Sequence, residues 1–282
     1  MAKSTLPVYH VKEDRGIHQW VNIYLNGLPA RMVIDTGASH TVFCNRRIRH
    51  YIGEGAIEDP GFQALGMGED LTVYSLRVQD FKVNKILLPH YDVLLADLSM
   101  IEQLYQPLIQ GPLHGVLGGD LLTLPDTRLS FPRNLLRLGG MRAVRFKPLS
   151  LLPGTVHLLV QLKVQGQTAN MFIDTGASVT LFNLKHFHTI CHFDENQIIP
   201  EPEACKGIKD NNSYFGTAYL QELSIGHVVM HDFPARLIDL DHVNGAYMKL
   251  GYPPLDGLLG NDLLYQLQAE LLITDKRMII RD

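Results

Sequence analysis

Gly27 to Phe43 reads GLPARMVIDTGASHTVF and Gly166 to Phe182 reads GQTANMFIDTGASVTLF, with eleven of seventeen positions identical at an offset of 139 residues. Further along, Gly115 to Leu122 (GVLGGDLL) matches Gly257 to Leu264 (GLLGNDLL) at six of eight positions, now at an offset of 142. Between these anchors, Gly66-Met67 aligns with Gly207-Ile208 at an offset of 141. Three anchors in one order, with offsets drifting only from 139 to 142, mean one domain written twice with small loop insertions. Gly139-Gly140 and Pro153-Gly154 interrupt regular structure between the copies, which places the expected halves at 1–145 and 146–282.

Each copy carries the same local grammar. Val21–Leu25 and Leu158–Val164 are rich in β-formers, alternate with polar residues and run into Asn26-Gly27 and Gln165-Gly166, so each predicts the first arm of a hairpin. The second arms are Arg31–Ile34 and Asn170–Ile173, and an Asp-Thr-Gly stands where each one ends. Leu71–Val78 and Phe215–Leu223 alternate in the same way. Helical signal is confined to Met100–Tyr105 and to short segments after Asp120 and Asp262, where each aspartate reads as an N-cap. The predicted fold class is all-β with short helices.

Composition narrows the function classes. The 282 residues are 46% hydrophobic and 19% charged, as in a globular protein. Twenty-five basic against 29 acidic residues give a net charge of −4, which argues against a nucleic-acid track or an anionic membrane surface. The richest apolar stretch, Leu149–Leu162, is broken by Pro153, Gly154 and His157, short of the ~18 residues that span a bilayer. Met1–Asp14 lacks the apolar centre of a signal peptide, and three cysteines (Cys44, Cys191, Cys205) argue for a reducing compartment, so the default expectation is cytoplasmic.

An apolar strand running into Asp-Thr-Gly, twice, asks for a chemical reason. Gly37 and Gly176 permit a tight turn whose amides point back at the preceding carboxylate. Val33-Ile34 and Phe172-Ile173 surround that carboxylate with apolar side chains, a costly place for an isolated charge. If the copies pack about a pseudo-two-fold axis, Asp35 and Asp174 meet there; two carboxylates that close share one proton and titrate as a pair. One is then a base while the other is an acid.

On these motifs both halves resemble retropepsin-like aspartic proteases. The hydrophobic-hydrophobic-Asp-Thr-Gly-Ala signature is present at Val33–Ala38 and Phe172–Ala177, and the later apolar-apolar-Gly landmark at Val116-Leu117-Gly118 and Leu258-Leu259-Gly260. The resemblance implies two pepsin-like or retropepsin-like β-barrel lobes related by a pseudo-two-fold axis, fused in one chain, and an aspartic endopeptidase acting on extended polypeptides. Asp35 and Asp174 would activate a water, Thr36 and Thr175 would bond across the axis, and Gly37 and Gly176 would supply amides. Gly66, Met67 and Gly68, with Gly207, Ile208 and Lys209, fall where the family places substrate-binding flaps. Neither metal nor cofactor is implied; the partner is a polypeptide, with no nucleic acid and no membrane, and the site is complete within a monomer. The alternative reading is a catalytically silent, protease-like peptide-binding module.

This sequence also departs from the pattern. Viral relatives carry an acidic residue after the signature, paired with an arginine after the late glycine; here Ser39 and Ser178 stand with Gly119 and Asn261, so local support must differ. Ala38 and Ala177 replace the hydroxyl residue usual in pepsin-type lobes, which should raise the acidic limb of the pH profile. His186, His188, Cys191 and His192 lack a partner pair at zinc-finger spacing and read as a surface or loop group. Arg46, Arg47 and Arg49 read as a solvated basic face, with selection of acidic peptide residues as the alternative.

Overall fold

The computed structural model describes residues 4–13, 16–52, 61–65, 70–138, 157–191, 195–200, 216–249 and 251–280. Its organising units are two hairpins. Gly16–Leu25 pairs antiparallel with Leu28–Ile34 through a two-residue turn in which Asn26 (φ 48°) and Gly27 (φ 87°) are both left-handed. Leu158–Val164 and Gln167–Ile173 repeat this around Gln165 (φ 48°) and Gly166 (φ 84°). That turn twists with its strands, which is why it follows an alternating apolar pattern so readily. Both second arms begin earlier than the sequence predicts, at Leu28 and Gln167.

The strand that runs into the late glycine sits beside the second arm in each copy. Gly115–Leu117 runs parallel to Met32–Ile34 and antiparallel to Val42-Phe43. Gly257–Leu259 does the same with Met171–Ile173 and with Leu181-Phe182. The Asp-Thr-Gly turn is therefore held on both flanks by a strand from the far end of its own repeat. A Cβ at Gly118 would lie 2.3 Å from the backbone of His40, and one at Gly260 as close to that of Val179, so this crossing has no room for a side chain.

Two sheets result. The nine-stranded sheet is built from residues 158–259; the twelve-stranded sheet is not confined to the first copy. Glu270–Leu272 pairs with Arg128–Ser130, which pairs with Leu135–Leu138, which pairs with Ser4–Pro7, so strands from both ends of the chain close one layer. One continuous core runs through both copies, with Ile23, Met32, Ile34 and Leu117 in one and Leu162, Met171, Ile173 and Leu259 in the other, at about 1.5–3 kcal/mol for each such side chain buried.

Among the described residues six short helices decorate the sheets: α1 (Asn45–Ile52), α2 (Ser99–Tyr105), α3 (Gly119–Leu122), α4 (Leu184–Cys191), α5 (Asp241–Lys249) and α6 (Asn261–Gln266). The capping assignment of Asp120 and Asp262 needs correction. Gly118 and Gly260 occupy the cap positions with no side-chain cap bond, and each aspartate lies inside the first turn. Helix α5 escaped the sequence reading because Asn244 and Gly245 weaken its propensity. It is the repeat partner of α2: Asp97 accepts the Ser99 N–H at 2.9 Å and Asp239 the Asp241 N–H at 2.7 Å, again 142 residues apart. On α1, Arg46 and Arg47 stay solvent-facing while pairing with Asp97 and Glu102 at 3.1 and 2.7 Å. On α4, His186 bonds Asp256 at 2.9 Å and Cys191 is buried; His192 lies outside the described residues. No group of three or more potential metal ligands occurs among the described residues, nor any helix long and apolar enough to cross a membrane.

Candidate active site

The two hairpins aim their last residues at one point. Asp35 Oδ1 accepts the N–H of Gly37 at 2.7 Å and of Ala38 at 2.9 Å; Asp174 Oδ1 accepts those of Gly176 at 2.9 Å and Ala177 at 3.2 Å. The two carboxyl groups converge on one point, since the position a Gly37 Cβ would take lies 2.9 Å from Asp35 Oδ1 as well as 2.7 Å from Asp174 Oδ1. A Cβ on Gly37 would fall 2.7 Å from Asp174 Oδ1, and one on Gly176 would fall 2.6 Å from Asp35 Cγ, so each turn passes directly beneath the opposite carboxylate.

Burial dominates the electrostatics. It pushes Asp35 above the usual carboxylate range, against the pull of the two turn amides. It pushes Asp174 well above that range, and the neighbouring Asp35 charge adds to the shift. The pair therefore holds a proton at a pH where two isolated carboxylic acids would hold none. This arrangement offers a carboxylate and a carboxylic acid side by side, the requirement for taking a proton from one atom while giving one to another.

The threonines lock the halves reciprocally. Thr36 Oγ1 donates to Ile173 O at 2.7 Å and accepts from Thr175 N at 3.1 Å. Thr175 Oγ1 donates to Ile34 O at 2.9 Å and accepts from Thr36 N at 3.0 Å. Both side chains are buried. Four bonds thus satisfy the backbone immediately before and within each turn, and every one crosses between copies.

The missing acid–arginine pair is replaced by hydroxyl–carboxylate support. Thr41 Oγ1 donates to Asp120 at 2.7 Å and accepts from Gly118 N at 3.0 Å; Thr180 Oγ1 does likewise with Asp262 at 2.7 Å and Gly260 N at 3.1 Å. Tyr91 adds a further hydroxyl to Asp120 at 2.5 Å. Asn261, which stands in the second copy where the viral pattern carries its arginine, donates to Ile17 O at 3.0 Å and Thr175 O at 2.9 Å and accepts from Gln19 at 3.0 Å. It ties the first copy's strand to the second copy's turn. The first copy has Gly119 there and makes no such tie through a side chain.

Sequence reasoning missed the neighbours of the dyad. Tyr105, on α2, and Tyr247, on α5, are buried; Tyr105 lies in the field of both carboxylates and Tyr247 in that of Asp174. His18 packs edge-on against Tyr105 and His157 stacks on Tyr247. The signal was available, since the offsets 139 and 142 pair His18 with His157 and Tyr105 with Tyr247. The six expected flap residues, Gly66, Met67, Gly68, Gly207, Ile208 and Lys209, lie outside the described residues. The strands on either side of the first of these segments are described and pair antiparallel, with Leu65 opposite Asp70.

Comparison with known proteins agrees with this picture. Residues 21–121 and 160–263 each match the sequence profile described as aspartyl protease. Among solved structures, an aspartic proteinase from Irpex lacteus is similar over 98% of this chain and 96% of its own, at 14% identity and a TM-score of 0.50. A retropepsin-like aspartic protease from Rickettsia conorii covers 39% of this chain and 72% of its own at 18% identity and a TM-score of 0.27. The retroviral protease-like domain of Ddi1 from Leishmania major covers 45% of this chain and 89% of its own at 13% identity and a TM-score of 0.32. No curated protein matches the chain by sequence. The full-length likeness identifies the fold as two pepsin-like, mostly β lobes.

Proposed function

We propose that this chain, which belongs to the aspartyl protease family, is an endopeptidase that hydrolyses extended polypeptides through the Asp35–Asp174 pair. The observation that supports this most is the convergence of two buried carboxyls, one from each repeat, each held by two turn amides. The ionised member takes a proton from a water as the water oxygen attacks the scissile carbonyl carbon. The protonated member gives its proton to the carbonyl oxygen, forming a tetrahedral diol. In the collapse the newly protonated carboxyl gives its proton to the leaving nitrogen while the newly ionised one takes the proton of a diol hydroxyl; the carbonyl re-forms and the C–N bond breaks. Each carboxyl is then back in the state it began in.

The remaining assignments belong to the same reading. The chain divides functionally at 1–145 and 146–282, and residues 66–68 and 207–209 act as flaps that clamp the substrate as an added strand. Both acids come from one chain, so the site needs no second copy. Peptide-library cleavage tests the proposal: the wild type should cut, and Asp35→Asn and Asp174→Asn should each abolish cutting. Equal parts of the two inactive variants should stay inactive together. A wild type that binds peptides but cuts none would leave a silent binding module, and activity regained on mixing would mean a site shared between chains.

A further inference from the structure

The turns that carry the two aspartates are alike in sequence but differ in what holds their carbonyls. The peptide unit between Thr175 and Gly176 is gripped at both ends. Its N–H donates to Asp174 Oδ1 at 2.9 Å, and its C=O accepts from Asn261 Nδ2 at 2.9 Å and from Gln19 Nε2 at 3.4 Å. Asn261 is itself fixed: its Nδ2 also donates to Ile17 O at 3.0 Å, and its Oδ1 accepts from Gln19 Nε2 at 3.0 Å. Ile17 N donates in turn to Ser178 O at 2.9 Å, two residues beyond Gly176. Gln19 and Asn261 are both buried, so water does not compete for these bonds. The first copy has no such grip. The repeat offsets put Leu158 at the place matching Gln19 and Gly119 at the place matching Asn261. Gly37 N donates to Asp35 Oδ1 at 2.7 Å, just as Gly176 does to Asp174, yet among the described residues no side chain donates to Thr36 O.

A peptide unit is planar, so fixing its oxygen fixes the direction of its N–H. Hydrogen bonds at the C=O also polarise the amide and strengthen the bond that its N–H makes. We propose that Gln19 and Asn261 are positioning residues for the dyad: a buried amide pair, one member from each copy, that aims the Gly176 N–H at Asp174 and leaves Asp35 without an equivalent. Duplication permits this division, because a symmetric site made from two identical chains would carry the clamp on both turns or on neither. Gln19 also bears a cost that points the same way. Its Oε1 is buried with no hydrogen-bond partner, which an apolar side chain such as Leu158 avoids; what the amide adds is its donation to Asn261 and Thr175.

The inference rests on the peptidase reading, and its test separates the two. Gln19→Met keeps the length of the side chain and removes its donor and its orphaned oxygen together; Asn261→Leu keeps the size and removes that side chain's bond to the Thr175 carbonyl. Leu158→Met, which places methionine at the matching position of the other copy, is the control. With a cleavable peptide, Gln19→Met and Asn261→Leu should each lower kcat about five-fold or more while KM stays within about two-fold, because the turn is misaimed and the peptide-binding surface is not altered. Leu158→Met should stay within about two-fold of wild type in both constants. The second readout is the pH titration of the two aspartates by 13Cγ NMR, which reports on folded chain and needs no turnover. A weaker Gly176 N–H bond to ionised Asp174 should raise at least one apparent pKa of the pair by about half a unit or more in Gln19→Met, and neither in Leu158→Met. A titration that Gln19→Met leaves unmoved, or equal effects of Gln19→Met and Leu158→Met, would overturn the proposal. Should Asn261→Leu fail to fold, Gln19→Met decides alone. If the wild type cuts no peptide, the peptidase reading fails and the titration still decides the positioning role.

Discussion

Thr175→Val tests the lock between copies with little change in shape. Valine fills the space of threonine, so the change creates almost no cavity, and the whole effect falls on hydrogen bonds. Two are lost: Thr36 N–H loses its acceptor at 3.0 Å and Ile34 C=O loses its donor at 2.9 Å. Thr175 is fully buried, so no water can replace the hydroxyl. An orphaned buried polar group costs about 1–3 kcal/mol, which makes the expected loss about 2–6 kcal/mol. A folded chain has about 5–15 kcal/mol to lose, so the variant should still fold. The orphaned groups stand on either side of Asp35, and kcat should fall at least about ten-fold. Urea unfolding against wild type, with turnover on one peptide, measures both. Thr36→Val breaks the reciprocal pair of bonds, at 2.7 and 3.1 Å, and should cost the same to within about 1 kcal/mol. A loss below about 0.5 kcal/mol for Thr175→Val, or unimpaired turnover, would mean that the cross-axis bonds do not hold the site.

Three further outcomes follow from the same geometry. Gly176→Ala should cost about 100-fold in kcat/KM, because its Cβ would sit 2.6 Å from Asp35 Cγ and displace that carboxyl; a variant with wild-type kinetics would mean the turn is looser than described. The aspartates' raised pKa means that folding binds protons more tightly than the unfolded chain does, so this contribution to stability is full at low pH and is lost as pH rises through the folded value. Asp174→Asn should therefore raise the unfolding midpoint above wild type at pH 8 and lose that advantage near pH 4, whereas a pH-independent difference would show that no buried charge is relieved. Ala38 and Ala177 offer no hydroxyl to an ionised carboxylate, so the pH–rate profile should peak at mildly acidic to neutral pH, and a maximum below about 3 would contradict that account.

The parts legible in the sequence were those governed by short-range rules repeated in both copies. Alternation and an Asn-Gly or Gln-Gly pair specify each hairpin, and Asp-Thr-Gly at the end of a buried arm specifies where an acid must be accommodated. The repeat offset then says that two such acids exist. What stayed hidden depends on partners far along the chain. Asp120 and Asp262 look like caps beside a short helix, yet their carboxylates serve threonines 79 and 82 residues away. Asn261 reads as the loss of an arginine, but its amide bridges to a strand 244 residues earlier. Helix α5 is weak by propensity and is held by packing, as Tyr247 in an apolar cluster with Phe172 and Leu255 illustrates. The divergence of His157 from His18 could not be read at all, since identical residue types at equivalent positions take different partners.

A crystal structure of the chain with a statine-type transition-state analogue tests the central claim most directly. Its hydroxyl should lie within about 3 Å of a carboxyl oxygen from both Asp35 and Asp174, with the peptide extended on either side. An analogue that touches one aspartate only, or carboxyls that open into separate cavities, would contradict it.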